Sequence, residues 1–285
     1  MKGFNMITLE INADCNRNCV FCPNGNPEYK KRRGKSRLDM KLIEKILKEL
    51  QEMNFKGKID LALFNEPLLD KRIYKIGNLI YEYLPKNMVC MFSNGDLIKS
   101  AKDIEKLLDA HINKINLNGY THERYLFLKK IVDEVHETTK HQLATRSNHH
   151  VGIKLKNKEC HISIVDKSIP WQQLTKEHKI ENRCNLLDIK DKVVEPLDKY
   201  CARPFRSLCI NSLGKAVLCC NDFFGDVIVG DVSKNTIQEI WEGKALHNYR
   251  KKLIMKDRNI ELCDVCDFSG GVHLYSLKTA WKELL

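Results

Sequence analysis

The sequence predicts an α/β chain: a parallel sheet covered by helices over roughly the first two-thirds, followed by a small C-terminal α+β domain. Three observations carry this. Strand-like apolar runs alternate with helical stripes from Met6 to Leu155, polar or ligand-rich loops follow successive strands, and the pattern changes from Cys201 onward. Repeated strand-then-helix units imply parallel pairing with right-handed crossovers. Sheets of that kind place their ligands at the carboxyl ends of the strands.

Residues 6–13 read as the first strand, leading into a cysteine-rich loop. Leu38, Leu42, Ile43, Ile46, Leu47 and Leu50 form one apolar stripe, which predicts a helix over 38–53. A second strand is expected at 59–64, then a helix over 71–83 that stops before Pro85. The third strand, 88–92, ends in Ser93-Asn94-Gly95 and is followed by a helix over 101–111. The fourth, 114–117, closes on Asn118-Gly119, and Thr121 can cap a long helix over 123–139. Residues 151–155 read as a fifth strand, 158–165 as possible further strand, and 180–183 as a sixth strand or its end. A charged, proline-terminated stretch near 190–196 divides the chain into 1–195 and 196–285. Beyond it, 209–219 reads as a hairpin about Ser212-Leu213-Gly214, and 236–255 as one amphipathic helix.

At 285 residues, with 43% hydrophobic and 30% charged residues, the chain has the bulk properties of an ordinary globular protein. No apolar run reaches the ~20 residues a membrane span needs. The N-terminus carries no signal-like apolar region, so a cytoplasmic protein is expected. Twelve cysteines in such a chain point to metal or cluster ligation rather than disulfides. The formal charge of +11 would suit an anionic partner, but the cations are spread along the whole chain, which weighs against nucleic acid.

Cys15, Cys19 and Cys22 follow the first strand at C-x3-C-x2-C spacing. Three thiols fall one short of the four protein donors of a structural zinc site. They can hold three irons of a four-iron cubane and leave the fourth open to a non-protein ligand. A partial zinc site or buried thiols are the alternative. A second set, Cys201, Cys219, Cys263 and Cys266, can form a four-thiolate site, for zinc or for a cluster. Lys30-Lys31-Arg32-Arg33 is the densest basic run and reads as a solvated loop or, alternatively, as a phosphate- or acid-binding cover.

The cysteine motif after its strand, with Phe21 before the third cysteine, resembles the radical S-adenosylmethionine superfamily. The C-terminal set, in which Gly214 precedes Cys219 and a distant CxxC follows, resembles the front of the SPASM/twitch extension, in its short form with one auxiliary cluster. The resemblance spans nearly the whole chain and implies a partial (β/α)6, TIM-like barrel with a small cluster-binding domain. It implies an oxidoreductase-like enzyme with two [4Fe-4S] clusters, one at Cys15, Cys19 and Cys22 and an auxiliary one at Cys201, Cys219, Cys263 and Cys266. It implies S-adenosylmethionine as cofactor, an electron donor such as flavodoxin or ferredoxin, and no membrane.

The cofactor pocket would be lined by Phe21, Asn65, Glu66, Ser93, Asn94 and Asn118. Asn65 stands where relatives carry glycine, and Asn118 where aspartate is frequent. Glu181-Asn182-Arg183 resembles twitch-type dehydrogenases acting on the aminocyclitol 2-deoxy-scyllo-inosamine, in which an arginine in a similar place lies beside the substrate. Arg183, Cys220 and Asp222 are therefore the candidate catalytic residues. Cys220 is open between inert neighbour, ligand and hydrogen donor, and Asp222 between catalytic acid and turn acid. The expected function is 5′-deoxyadenosyl-radical chemistry on a small polar substrate, sugar- or aminocyclitol-like. Peptide modification is an alternative, and a zinc-containing nucleic-acid-binding protein a second.

Overall fold

The computed structural model describes residues 3–138, 143–147, 150–155, 158–168, 180–189 and 191–270. Ten strands among them, β1 (Met6–Leu9), β2 (Lys58–Asp60), β3 (Val89–Ser93), β4 (Lys114–Gly119), β5 (Leu143–Ser147), β6 (His150–Leu155), β7 (Lys158–Asp166), β8 (Ser207–Ile210), β9 (Lys215–Val217) and β10 (Ile228–Asp231), form one sheet. Their order is β10-β9-β8-β1-β2-β3-β4-β7-β6-β5. The six central strands, β8-β1-β2-β3-β4-β7, are parallel throughout. Antiparallel strands flank both sides, β6 and β5 beyond β7 and β9 and β10 beyond β8.

Helices α1 (Pro27–Arg33), α2 (Met40–Glu52), α3 (Ile73–Tyr83), α4 (Ala101–Asp109) and α5 (His122–Thr138) connect the first strands, and α6 (Ile237–Glu242) and α7 (Lys244–Ile254) follow the last. Local chemistry sets their starts. The Asp39 carboxylate accepts from the Lys41 amide at the head of α2, and Ser100/Asp103 and Thr236/Glu239 form capping boxes for α4 and α6.

The alternation of side chains along each strand sorts the sheet into two faces. Ile7, Ile59, Val89, Met91, Ile115, Ile162 and Leu208 belong to one buried apolar cluster with Ile46 and Leu50 of α2, Ile76 and Ile80 of α3, Leu107 of α4 and Val132 of α5. The opposite face carries a row of polar residues in register: Cys209, Thr8, Asp60, Cys90, Lys114 and His161. The helix-covered face supplies the core, and the polar face looks into the partial barrel.

Three expectations change. Residues 151–155 lie in β6, an antiparallel strand, and the fifth parallel strand is β7. Residues 180–183 form no strand, because Arg183, Cys184 and Asn185 take φ of 53°, 57° and 62°, a left-handed turn that cannot continue a ladder. The sixth parallel strand is β8, which joins the sheet beside β1. The single helix expected over 236–255 is two, broken at Gly243, whose extended backbone (φ −66°, ψ 149°) starts α7.

Candidate active site

The loops that leave the parallel strands converge on one rim. Cys15, Cys19 and Cys22 lie in the loop after β1, all three partly exposed. Tight turns shape it, with the Cys22 amide donating to the Cys19 carbonyl at 3.0 Å and the Gly25 amide to the Cys22 carbonyl at 2.8 Å. A Cβ at Gly25 would sit 2.3 Å from the Cys19 carbonyl oxygen, so only glycine lets the loop fold back on itself. From α1, Lys30 Nζ holds the Cys15 carbonyl at 2.5 Å.

Burial, and at Cys19 the neighbouring Cys22, push these thiols up, Cys19 to about 11 even though the Tyr120 hydroxyl hydrogen-bonds it. As free thiols they stay protonated at neutral pH, and bonding to a metal is what would hold them as thiolates. Arg17, Lys30, Arg33, Lys167 and Arg183 supply positive charge around them.

Glu66, after β2, organises the next part of the rim. Its carboxylate is buried and accepts from the Leu68 amide at 3.0 Å, Ser93 Oγ at 2.9 Å and the Asn94 amide at 2.7 Å. Burial pushes its carboxyl up against the pull of these three donors. Asn94 Nδ2 reaches Asn16 at 2.8 Å, and Arg17 clamps Asp96 through two bonds of 2.6 and 2.7 Å, which ties the cysteine loop to the loop after β3. Asn118 Nδ2 donates to the Ser93 carbonyl at 3.1 Å. Asn65 is turned into its own loop, accepting from the Leu63 amide at 2.8 Å and donating to Asn12 Oδ1 at 2.8 Å. Phe21 stacks on Tyr120 with ring centroids 6.0 Å apart. Glu66, Ser93, Asn94 and Asn118 thus form one hydrogen-bonded chain, which Asn65 supports from behind.

The second cysteine set lines a single internal cavity. Cys201, Cys219, Cys263 and Cys266 surround it together with Cys184, Arg203 and Phe268. No spacing in the sequence connects Cys184 to the others; the left-handed turn at Arg183–Asn185 is what carries it in. Its thiol donates to Cys266 and holds the Cys266 thiol below its ordinary range. Asn221 adds two donors, its amide N–H to Cys219 Sγ at 3.4 Å and its Nδ2 to Cys266 Sγ at 3.6 Å. Arg203 Nη1 is buried with no hydrogen-bond partner among the described residues. A cavity walled by thiols, with N–H donors on its sulfurs and an unpaired guanidinium nitrogen, fits an anionic thiolate-ligated cluster. Among the described residues no three His, Cys, Asp or Glu side chains close around a single metal ion.

Arg183 stands between the two cysteine sites. Its Nη1 donates to Asn221 Oδ1 at 2.7 Å, its guanidinium lies 5.9 Å from the Phe64 ring centre, and its charge reaches Cys22. Glu181 accepts from Arg203 Nη2 and from Asn221 Nδ2, both at 2.7 Å. Burial raises the Glu181 carboxyl, but Arg203, Asn221 and Arg183 together hold the group below its ordinary value.

Asp222 sits in a turn, and its two oxygens accept from the Asp226 and Val227 amides at 2.9 and 3.0 Å. Cys220 is half-buried and lies near Cys209 and Arg203. The basic run is helix α1, not a solvated loop. Arg33 pairs with buried Glu10, and Arg32 reaches Asp226 at 2.9 Å while covering the Phe224 ring. Tyr120 and Lys167 belong to no sequence motif; Lys167 follows β7 and sits 5.4 Å from the Phe21 ring centre.

Comparisons with known proteins agree with this arrangement. Residues 9–146 match the family described as the radical SAM superfamily, and residues 201–267 match SPASM, an iron–sulfur cluster-binding domain. An S-adenosyl-L-methionine-dependent 2-deoxy-scyllo-inosamine dehydrogenase from Niallia circulans is 24% identical over 267 residues, covering 93% of this chain and 94% of the relative. The crystal structure of BtrN in complex with AdoMet and 2-DOIA matches with a TM-score of 0.71 and 24% identity, covering 93% of each chain. A second BtrN structure, in an open conformation, matches with a TM-score of 0.63 and 20% identity over 93% of this chain and 92% of that one. These likenesses bear out the partial-barrel fold, and the domain matches bear out iron–sulfur clusters and S-adenosylmethionine in place of the zinc reading. No helix among the described residues is long and apolar enough to cross a membrane.

Proposed function

We propose that this chain, whose residues 9–146 match the radical SAM superfamily and whose residues 201–267 match an iron–sulfur cluster-binding domain, oxidises an alcohol of a small polyhydroxylated substrate of the aminocyclitol class, held beside Arg183. The observation that supports this most is the position of Arg183, within electrostatic reach of Cys22 on one side and hydrogen-bonded to Asn221 beside the auxiliary cysteines on the other. A substrate there would lie between the two cysteine sites, where a hydrogen atom could leave toward the first, and the remaining electron toward an auxiliary cluster with the hydroxyl proton released to solvent.

The ligand sets we assign are Cys15, Cys19 and Cys22 for the first cluster, and Cys201, Cys219, Cys263 and Cys266 for the auxiliary one. When bound, the first cluster and S-adenosylmethionine supply a 5′-deoxyadenosyl radical able to abstract a substrate hydrogen. The chain's own residues do the rest. Glu66 fixes Ser93 and Asn94 so that the rim presents a set of polar groups to the cofactor, with the Phe21–Tyr120 pair as an apolar wall. Arg183 offers a guanidinium to a substrate hydroxyl and favours its ionised form as hydrogen is lost. The relative's printed substrate, 2-deoxy-scyllo-inosamine, is of this class, and the polar inner row of Thr8, Asp60, Lys114 and His161 suits a polyol. Reduction of the first cluster falls to an external donor of the flavodoxin or ferredoxin kind.

Anaerobic reconstitution with iron and sulfide analysis tests the ligand sets. About eight irons per chain are expected, four for each cubane. Cys15→Ala, Cys19→Ala and Cys22→Ala should each abolish 5′-deoxyadenosine formation, and Cys263→Ala should lose product while sparing more of the uncoupled cofactor cleavage. Cys184→Ala should keep the full iron content. Cofactor cleavage persisting in all three of the first variants would sink the assignment. Arg183→Met should lower oxidation of 2-deoxy-scyllo-inosamine by at least tenfold, and unchanged oxidation would count against the substrate position.

A further inference from the structure

Asn221 connects the substrate arginine to the auxiliary cysteines through hydrogen bonds alone. It is fully buried and uses every polar atom it has. Its backbone N–H donates to Cys219 Sγ at 3.4 Å, and its Nδ2 donates to Cys266 Sγ at 3.6 Å and to Glu181 Oε2 at 2.7 Å. Its Oδ1 accepts from Arg183 Nη1 at 2.7 Å. The orientation of the amide is dictated by its neighbours. Arg183 can only donate, whereas an ionised Glu181 and a ligating thiolate can only accept, so the reverse orientation would break all three side-chain contacts.

Hydrogen bonds to cluster sulfurs stabilise the more negative, reduced state and raise the potential. A donor whose own oxygen is bound by a guanidinium is polarised and donates more strongly. We propose that Asn221 is a positioning residue through which the state of Arg183, bound to substrate or free, sets the reduction potential of the auxiliary cluster. When a substrate hydroxyl draws on the guanidinium, the amide responds, and with it the two N–H···S bonds. This inference rests on the ligand assignment made above, and its test separates the two.

The experiment uses the full chain in a Cys15→Ala/Cys19→Ala/Cys22→Ala background, so that the auxiliary cluster is the one read. Its potential is followed by EPR-monitored titration with dithionite and mediators in the parent, Asn221→Asp and Arg183→Gln. Asn221→Asp removes the Nδ2 donor and adds a negative charge. It should lower the potential enough to shift the oxidised-to-reduced ratio at least tenfold, ~59 mV for a one-electron couple. Arg183→Gln leaves Asn221 in place and should shift it in the same direction by less. An unchanged potential in either loaded variant overturns the inference while leaving the ligand assignment intact. Should Asn221→Asp fail to load iron, Arg183→Gln decides alone: a shift supports the relay and no shift overturns it. A parent that binds no iron overturns the ligand assignment and the relay together.

Discussion

Asp60 illustrates how a residue with no motif around it acquires a role from register. It lies on the polar inner row between Thr8 and Cys90, 8% exposed, with the Ala62 amide donating to it at 3.1 Å. Burial pushes its carboxyl up to about 7, against the pull of that amide and of Lys114. Because the folded value stands above the unfolded one, the folded state holds the proton where the unfolded state has lost it. The contribution of Asp60 to stability is therefore greatest below the unfolded value, falls as pH rises toward 7, and is level above that. Asp60→Asn should raise the unfolding free energy, and with it the melting temperature, by an amount that grows between pH 4 and 7 and then stops growing, on the order of a few kcal/mol in all at ~1.4 kcal/mol per unit. Calorimetry over that range checks it, and a pH-independent difference would rule it out. Cys184 and Asn221 belong to the same class of residue. Cys15, Cys19 and Cys22 and the Cys263/Cys266 pair stand out as candidate ligands because chelation favours short sequence intervals, whereas Cys201 and Cys219 join them only through the family resemblance. A hydrogen-bond donor to a sulfur obeys no interval, so the turn at Arg183–Asn185 and the cavity reveal Cys184, and the bonds to Cys219 and Cys266 reveal Asn221.

At the scale of elements, α1 looked like a charged loop because its residues carry no apolar stripe. In the structure no residue of α1 is buried as a whole, yet it joins the two ends of the chain. Arg33 Nε donates to the Phe223 carbonyl at 2.9 Å while its other end pairs with Glu10, whose carboxylate also accepts from the Phe64 and Ser212 amides at 3.2 and 3.3 Å. Part of the formal charge of +11 is thus spent inside the molecule, as it is at Arg250 and Arg258, which are buried on backbone carbonyls. Removing one partner of a buried ion pair typically costs about 3–5 kcal/mol, since the other is left charged and unpaired. Arg33→Met should lower the melting temperature by on the order of 10 °C, and Glu10→Gln added to it should recover much of the loss. Two independent losses that simply add would show that the pair is not what matters. The left-handed turn at 183–185 and the break at Gly243 were hidden for a related reason: backbone conformation there is set by tertiary contacts rather than by the local pattern of apolar residues.

Across the whole molecule, the change of sequence grammar at Cys201 marks a change of role more than a break in structure. The alternation of strands and helices was readable because each parallel strand must be covered by the helix that follows it. That β8 would return to β1 was not, since pairing between Met6–Leu9 and Ser207–Ile210 joins segments that are remote in sequence. The consequence bears on the division at residue 195. A chain ending there would leave β1 as an edge with unpaired backbone groups, would strip Phe4 of its Trp241 neighbour at 4.9 Å, and would deprive Glu10 of the Ser212 amide. The segment would keep Cys15, Cys19 and Cys22 but lose the strand that closes the sheet beside them. We therefore expect residues 1–195 to unfold without the cooperative transition of the full chain in urea, and to aggregate through the exposed β1 edge. Coincident circular-dichroism and fluorescence transitions from residues 1–195, with a slope scaled to their size, would instead mean that the barrel segment folds alone and that β8 only decorates it.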